Sequence, residues 1–294
     1  MNKPLVIGMG EALWDVLPEG RKIGGAPANF AFHAGQAGMD ARVVSAVGRD
    51  ALGDETLLTL QQKGLNTDAV ARVDFPTGVV QVTLSEGGIP QYDICEGVAW
   101  DNIPFTPALD ELARNAQAVC WGSLAQRSEV SRNCIYRFLD AMPSEQGRLK
   151  VFDINLRQHF YSIDVIEASC QRANVLKINE EELVIVSELL RLGTPQVEQQ
   201  CRLLMERFSL DMLVLTCGSN GSYIFTPVET SFRVTPLVQV ADTVGAGDSF
   251  TATLVADLLK GEPVGVAHEH AVQLAAYVCT QQGAMAEWPE ALRL

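Results

Sequence analysis

The chain has 294 residues, 47% of them hydrophobic and 20% charged, which is enough apolar material for one large core, and no Pro/Ser-rich linker or internal repeat divides it. Its 36 acidic residues against 22 basic ones leave a formal charge of −14, which excludes non-specific attraction to nucleic acid or to an anionic membrane surface. The seven cysteines are scattered without a Cys-x-x-Cys pair, a pattern of reduced, structural thiols rather than of a disulfide framework or a zinc site.

The first apolar run, "LVIGMG", reads as a strand and gives way to Glu11 and Asp15 before any stretch of signal-peptide length. No later stretch approaches a membrane span, so a cytoplasmic protein is expected. "EALWDVLPEGRKI" (11–23) reads as a flap, "PANFAFHAGQAG" as a helix, "ARVVSAVG" as a strand and "ALGDETLLTLQQKG" as a second helix. "TGVVQVTLSEGGIPQYDI" (77–94) breaks the rhythm: it alternates apolar and polar residues around a Glu-Gly-Gly turn, as an antiparallel hairpin does. With the flap it predicts a small β lid drawn from about 11–23 and 75–103.

Strand and helix patterns then alternate again through "AVCWGS", "SEVSRNCIYRFLDAM", "KVFDIN", "DVIEASCQRA", "VLKIN", "EEELVIVSELLRL" and "MLVLTCG". Such alternation implies an α/β fold, a central mainly parallel sheet covered by helices on both faces, in one domain spanning 1–294. "GSYIF" and "SFRVTPL" read as a further hairpin, and the last two apolar segments, "AGDSFTATLVADLLKG" and "GVAHEHAVQLAAYVCTQQG", as helices packed on the sheet. Ligands of such a fold gather beyond the carboxyl ends of the strands.

Two glycine-rich stretches carry candidate chemistry. In "DTVGAGDSF" (242–250) the apolar periodicity begins after Gly247, which places Ala246 and Gly247 at a helix N-terminus, where unpaired amides and the positive end of the dipole suit a phosphate. Asp248 in the first turn can accept a hydroxyl proton; taken alone, the tetrapeptide favours the plainer reading of a helix-capping acid. In "IGGAPANFAFHAGQAG" (23–38) Gly25 permits close ligand approach and Asn29 offers both a donor and an acceptor, although a plain strand-to-helix turn explains the same residues. No G-x-x-x-x-G-K-[ST] string occurs, and "GMGEAL" places Leu13 where a dinucleotide fingerprint needs its third glycine. His268 and His270 diverge at i, i+2 on a helix and read as surface residues; Trp100 and Trp121 read as packing.

Several collinear motifs together resemble the ribokinase-type (PfkB) carbohydrate kinases, and among them the fructokinases: "GEALWDVLP" (10–18), "GGAPANFA" (24–31), "AWDNIP" (99–104), "FDINLR" (152–157), "KINEEEL" (177–183), "TCGSNGS" (216–222), "DTVGAGDSF" (242–250) and "GA" (283–284). The resemblance implies a ribokinase-like fold with a β lid and transfer of the γ-phosphate of ATP to a sugar hydroxyl, with D-fructose to fructose 6-phosphate as the expected reaction. Ribose, 2-keto-3-deoxygluconate, or a non-catalytic sugar sensor of the same fold are the alternatives.

The resemblance also implies roles. Asp248 matches the catalytic base, treated as a carboxylate with a pKa near ~4, and the amides of Gly245, Ala246 and Gly247 match an anion hole. Asp15, Gly25 and Asn29 match sugar-binding positions, and Arg157 matches a cation that reaches the sugar or the transferring phosphate. Asn179 and Glu182 match an N-x-x-E motif that supports ATP-bound Mg²⁺ through water, Thr216, Gly218 and Gly221 match nucleotide contacts, and Asp242 with Thr243 matches a loop carrying a monovalent cation such as K⁺. Val272 stands where many relatives carry an Asn toward adenine. The lid hairpin offers an edge through which two copies can join as a homodimer.

Overall fold

The computed structural model describes residues 3–17, 20–84, 90–145 and 147–292. Strand β1 (Leu5–Met9) leads into a hairpin of β2 (Leu13–Leu17) and β3 (Gly20–Gly24), then α1 (Ala26–Gln36), β4 (Asp40–Gly48), α2 (Ala51–Gln62), β5 (Val70–Val73), and the pair β6 (Gly78–Leu84) and β7 (Pro90–Ile94). There follow α3 (Pro107–Asn115), β8 (Ala118–Trp121), α4 (Glu129–Ala141), β9 (Leu149–Asp153), α5 (Ile163–Cys170), β10 (Val175–Asn179), α6 (Glu180–Leu189), α7 (Val197–Phe208) and β11 (Met212–Thr216). The antiparallel pair β12 (Ser222–Phe225) and β13 (Thr230–Arg233) precedes α8 (Ala246–Lys260) and α9 (Val264–Cys279).

The main sheet runs β13-β12-β11-β10-β9-β8-β1-β4-β5, and every pairing from β11 to β5 is parallel. Its strands are continuous apolar runs because helices cover both faces. On one side Leu109, Ile135, Ile166, Leu183 and Leu204, from α3 to α7, share a core with Ile7, Val119 and Leu213. On the other, Phe30, Phe250, Leu254 and Leu274, from α1, α8 and α9, share one with Val6, Val43 and Val214. The expected two-faced, mainly parallel α/β architecture is the one observed.

The smaller sheet runs β3-β2-β6-β7. Both hairpins are antiparallel, and β2 joins β6 in parallel, with Leu13 opposite Gly78 and Asp15 opposite Val80. The Glu-Gly-Gly turn predicted at 86–88 lies outside the described residues, as do Pro18 and Glu19 of the flap. Beyond Ile94 the chain leaves the lid for the core: Trp100 is 1% exposed in a short 3₁₀ turn, and Asp101 next to it forms a buried ion pair with Arg127 at 2.8 Å. The Arg127 guanidinium lies 4.0 Å from the Trp100 ring centre, so Trp100, like the buried Trp121, is a packing residue.

Of the two histidines expected at the surface, His268 is a correction. His268 is fully buried, with Nε2 2.8 Å from Ser222 Oγ and Nδ1 2.9 Å from Ser231 Oγ, because the β12–β13 hairpin folds over α9. His270 is partly exposed, and its Nδ1 lies 2.6 Å from Asp257 Oδ2 on α8. All seven cysteines are free thiols, as expected.

Candidate active site

A cleft of about 590 Å³ opens beyond the carboxyl ends of β9, β10 and β11, between lid strand β2 and the N-termini of α1 and α8. Asp153, Asn179 and Thr216 reach it from the three strand ends, Asp15 from the lid, and Asn29 and Asp248 from the two helices. The topology thus concentrates helix termini and strand-end side chains at the edge where this class of sheet places its ligands.

The α8 terminus depends on glycine. Gly245 caps the helix with φ 82°, and a Cβ there would stand 2.7 Å from Ala284 Cα, Cβ and O. The Ala246 amide already donates to Thr243 O at 3.3 Å, whereas the amides of Gly247 and Asp248 have no hydrogen-bond partner among the described residues. Of the three residues expected to form an anion hole, Ala246 is therefore partly engaged, and the free donors are those of Gly247 and Asp248. Directly beneath, Lys177 Nζ donates to Asp153 Oδ2 at 2.7 Å and lies 3.2 Å from where a Gly247 Cβ would be. Burial alone would lower the Lys177 pKa, but the adjoining Asp153 carboxylate more than offsets it, and the ammonium is held charged above its usual range.

The α1 terminus is built similarly. Gly25 caps the helix with φ 107°, and a Cβ would come 2.3 Å from Glu11 O, which leaves no room for any other residue. Pro27 occupies the first turn, where its missing N–H costs nothing. Asn29, 3% exposed, donates from Nδ2 to Asp248 Oδ2 at 2.8 Å, joining the two helix starts. Asp248 opens onto the cleft, yet its surroundings are mostly protein. This desolvation, with the Asp153 charge, raises its pKa to about 6 against the pull of Asn29, Lys177 and Arg157. The ordinary carboxylate value expected from sequence is thus corrected upward by burial.

Sequence reasoning passed over three charged residues here. Glu11, in the β1–β2 loop that packs against the α1 start, is 2% exposed, burial raises its pKa to about 7, and its Oε2 has no hydrogen-bond partner among the described residues. Asp153 and Lys177 also line the cleft. All three sit inside motifs quoted for the resemblance, but only Asp153 carries a local signal, an ionisable residue at the end of an apolar strand.

The remaining expected residues divide. Asp15 lies on β2 opposite Lys22, on the lid rather than at the end of β1, and burial raises its pKa against the Lys22 charge. Arg157 is exposed at the cleft rim, where its Nη1 donates to Leu156 O at 2.9 Å. Asn179 and Glu182 form a reciprocal cap: Glu182 N donates to Asn179 Oδ1 at 2.8 Å, and Asn179 N to Glu182 Oε2 at 3.0 Å. Glu182 Oε1 also accepts from Leu156 N at 2.9 Å.

Thr216 and Thr243 line the cleft, but Gly218 and Gly221 do not. Gly218 O accepts from Thr235 Oγ1 at 2.6 Å, and a Cβ on Gly221 would strike Arg233 O at 2.4 Å, so Gly221 answers to hairpin packing. Asp242 braces its loop by accepting from Val244 N and Gly283 N, both at 3.1 Å, with Lys22 Nζ 3.8 Å away. Among the described residues no group of three His, Cys, Asp or Glu side chains is placed to hold a metal ion, and no helix is long and apolar enough to cross a membrane.

A parallel sheet with a strand lid over its carboxyl edge, and a glycine-capped helix aimed into the cleft, is the ribokinase-like architecture. A fructokinase with bound ATP from Xylella fastidiosa superposes with a TM-score of 0.82 at 21% identity, covering 98% of this chain and 95% of that one. A Vibrio cholerae O395 fructokinase in its fructose-, ADP- and calcium-bound form gives 0.82 at 24% identity, covering 99% and 98%. In sequence the chain is 32% identical over 302 aligned positions to a fructokinase of Salmonella typhimurium, which spans 96% of this chain and 95% of the relative. The pattern of the pfkB family carbohydrate kinases matches residues 19–291, and the chain belongs to that family. It is a phosphotransferase acting on a sugar hydroxyl.

Proposed function

We propose that this kinase transfers the γ-phosphate of ATP to the primary hydroxyl of D-fructose, giving fructose 6-phosphate and ADP. The observation that carries the reading is the Asn29–Asp248 hydrogen bond at 2.8 Å, which holds a carboxylate at one cleft between the starts of α1 and α8. The choice of fructose rests on the Salmonella relative and on the fructokinase motifs.

With a pKa of about 6, Asp248 is ionised in roughly nine-tenths of molecules at pH 7. It orients the hydroxyl and takes its proton as the new O–P bond forms and the bond to the ADP oxygen breaks. The amides of Gly247 and Asp248 face the transferring phosphoryl group, whose charge they stabilise without reorganising. Arg157 at the rim and charged Lys177 below supply the cations that a chain of net charge −14 must provide locally. Asp15, Gly25 and Asn29 hold sugar hydroxyls, and Thr216 contacts the nucleotide.

Glu182 keeps a second lone pair on each oxygen, so it and Asn179 fit a Mg²⁺ ion held mainly by phosphates and water. Bound there, the ion neutralises phosphate charge. Stimulation by K⁺ at the Asp242–Thr243 loop is part of the same reading and is checked by assays with and without KCl.

The test is a panel of fructose, ribose, 2-keto-3-deoxygluconate, adenosine and fructose 6-phosphate, read by ADP release. The highest kcat/KM is expected for fructose. A higher value for another acceptor overturns the substrate, and binding of sugar and ATP without ADP release overturns the kinase.

A further inference from the structure

Residues 283–288 cross beside the α8 N-terminus without pairing to any strand, and side chains of α1 and of Lys63, which caps the end of α2, tie them down. Lys63 Nζ donates to Met285 O at 3.2 Å, Gln36 Nε2 donates to Ala286 O at 3.0 Å, and Gln36 Oε1 accepts from Trp288 N at 2.7 Å. The innermost tie is His33, fully buried on α1, whose Nε2 lies 2.8 Å from Ala284 O. Its Nδ1 lies 2.9 Å from Trp288 Nε1, with the rings stacked at 6.0 Å.

An indole N–H only donates, so His33 Nδ1 is the acceptor and the ring proton sits on Nε2, pointing at Ala284 O. Ala284 O is also one of the three atoms that a Cβ on Gly245 would strike at 2.7 Å. The oxygen fixed by His33 is thus part of the wall against which the helix-capping turn packs. Gly283 N, one residue earlier, donates to Asp242 Oδ2 at 3.1 Å, at the start of the same turn.

We propose that His33 is a positioning residue for phosphoryl transfer: by holding Ala284 O it sets the Gly245 turn and so the aim of the Gly247 and Asp248 amides. The inference rests on the reading of those amides as the phosphate site. Burial lowers the His33 pKa to about 4, which keeps the ring a neutral, single-tautomer donor at working pH.

The test separates the two bonds of the ring. His33→Asn keeps an acceptor near Nδ1 and loses the donor to Ala284 O; His33→Gln keeps a donor near Nε2. In His33→Asn kcat falls roughly tenfold with the sugar KM unchanged. In the same variant, affinity for ATP measured by calorimetry drops while affinity for ADP holds. His33→Gln recovers most of both.

Equal kcat and ATP affinity in the two variants, or a lowered Tm with wild-type kinetics in each, overturns the proposal. If His33→Asn does not fold, Trp288→Phe, which releases the tautomer lock, carries the test: a weaker form of the same ATP-specific loss supports the proposal and an unchanged preference for ATP over ADP overturns it. A wild type that binds ATP but phosphorylates no sugar ends the kinase reading alone, because the calorimetric comparison still decides the role of His33. A wild type that does not bind ATP ends both.

Discussion

Lys177 and Asp153 are register partners on the neighbouring parallel strands β10 and β9, and their charged ends meet at 2.7 Å under Gly247, each less than one-tenth exposed. A buried pair of this kind contributes little net stability, but removing one partner strands the other charge without water. Lys177→Met should therefore destabilise the fold by about 3–5 kcal/mol. Adding Asp153→Asn should return most of that loss. Urea unfolding of the single and double variants measures both, and a single variant within experimental error of wild type contradicts the account.

Asp248 costs the fold stability when it is ionised. Its pKa is about 6 in the folded protein and near ~3.9 when unfolded, so between those values the folded state binds more protons and stability falls as pH rises. Asp248→Asn removes that penalty. At pH 7.5 the variant should resist urea better than wild type, by on the order of 1–2 kcal/mol, with the gain vanishing toward pH 4. Its kcat should drop by roughly 10²-fold or more with a near-constant sugar KM. Wild-type kcat should rise through pH 6 as the carboxylate ionises, and a flat profile from pH 5 to 8 would remove Asp248 as the proton acceptor.

Gly245 has neither the conformation nor the space for a side chain, given φ 82° and a Cβ position 2.7 Å from three atoms of Ala284. Gly245→Ala must push the α8 start away from the 283–288 segment, at a cost of about 1–3 kcal/mol for overpacking plus about 1 kcal/mol for the left-handed backbone. ATP affinity should fall by an order of magnitude or more, because displaced amides no longer converge on one anion. Calorimetry with ATP on the folded variant checks this; unchanged affinity would show that the turn does not set the site.

The fold was legible wherever the signal is local. Apolar runs alternating with amphipathic helices announce the parallel sheet, and the interruption at 77–94 announces the lid. Asp248 and Asn29 were legible because each lies within a contiguous glycine-rich motif that opens a helix. Lys177 and Asp153 were not, since their partnership exists only once β9 and β10 are neighbours in register. Glu11 stayed hidden for a related reason: what raises its pKa is burial against the α1 start with the Asp248 charge nearby, which no spacing in "GEAL" encodes. Gly221 shows the converse, a motif glycine whose space is taken by Arg233 of the adjoining strand.

His268 gives the sharpest test of that long-range packing. Its ring bridges Ser222 and Ser231 at 2.8 and 2.9 Å, so His268→Ala leaves two buried hydroxyls short of a partner and opens a cavity. A loss of about 2–4 kcal/mol at pH 7.5 is expected from those terms. Burial lowers the His268 pKa to about 4, below its unfolded value of ~6.5, so in that window the unfolded state binds more protons and wild-type stability drops on acidification. The alanine variant has no such group. The gap between wild type and His268→Ala should therefore narrow steadily from pH 7 to pH 4.5 in urea titrations, and a gap that widens over that range would mean the ring is charged in the folded protein.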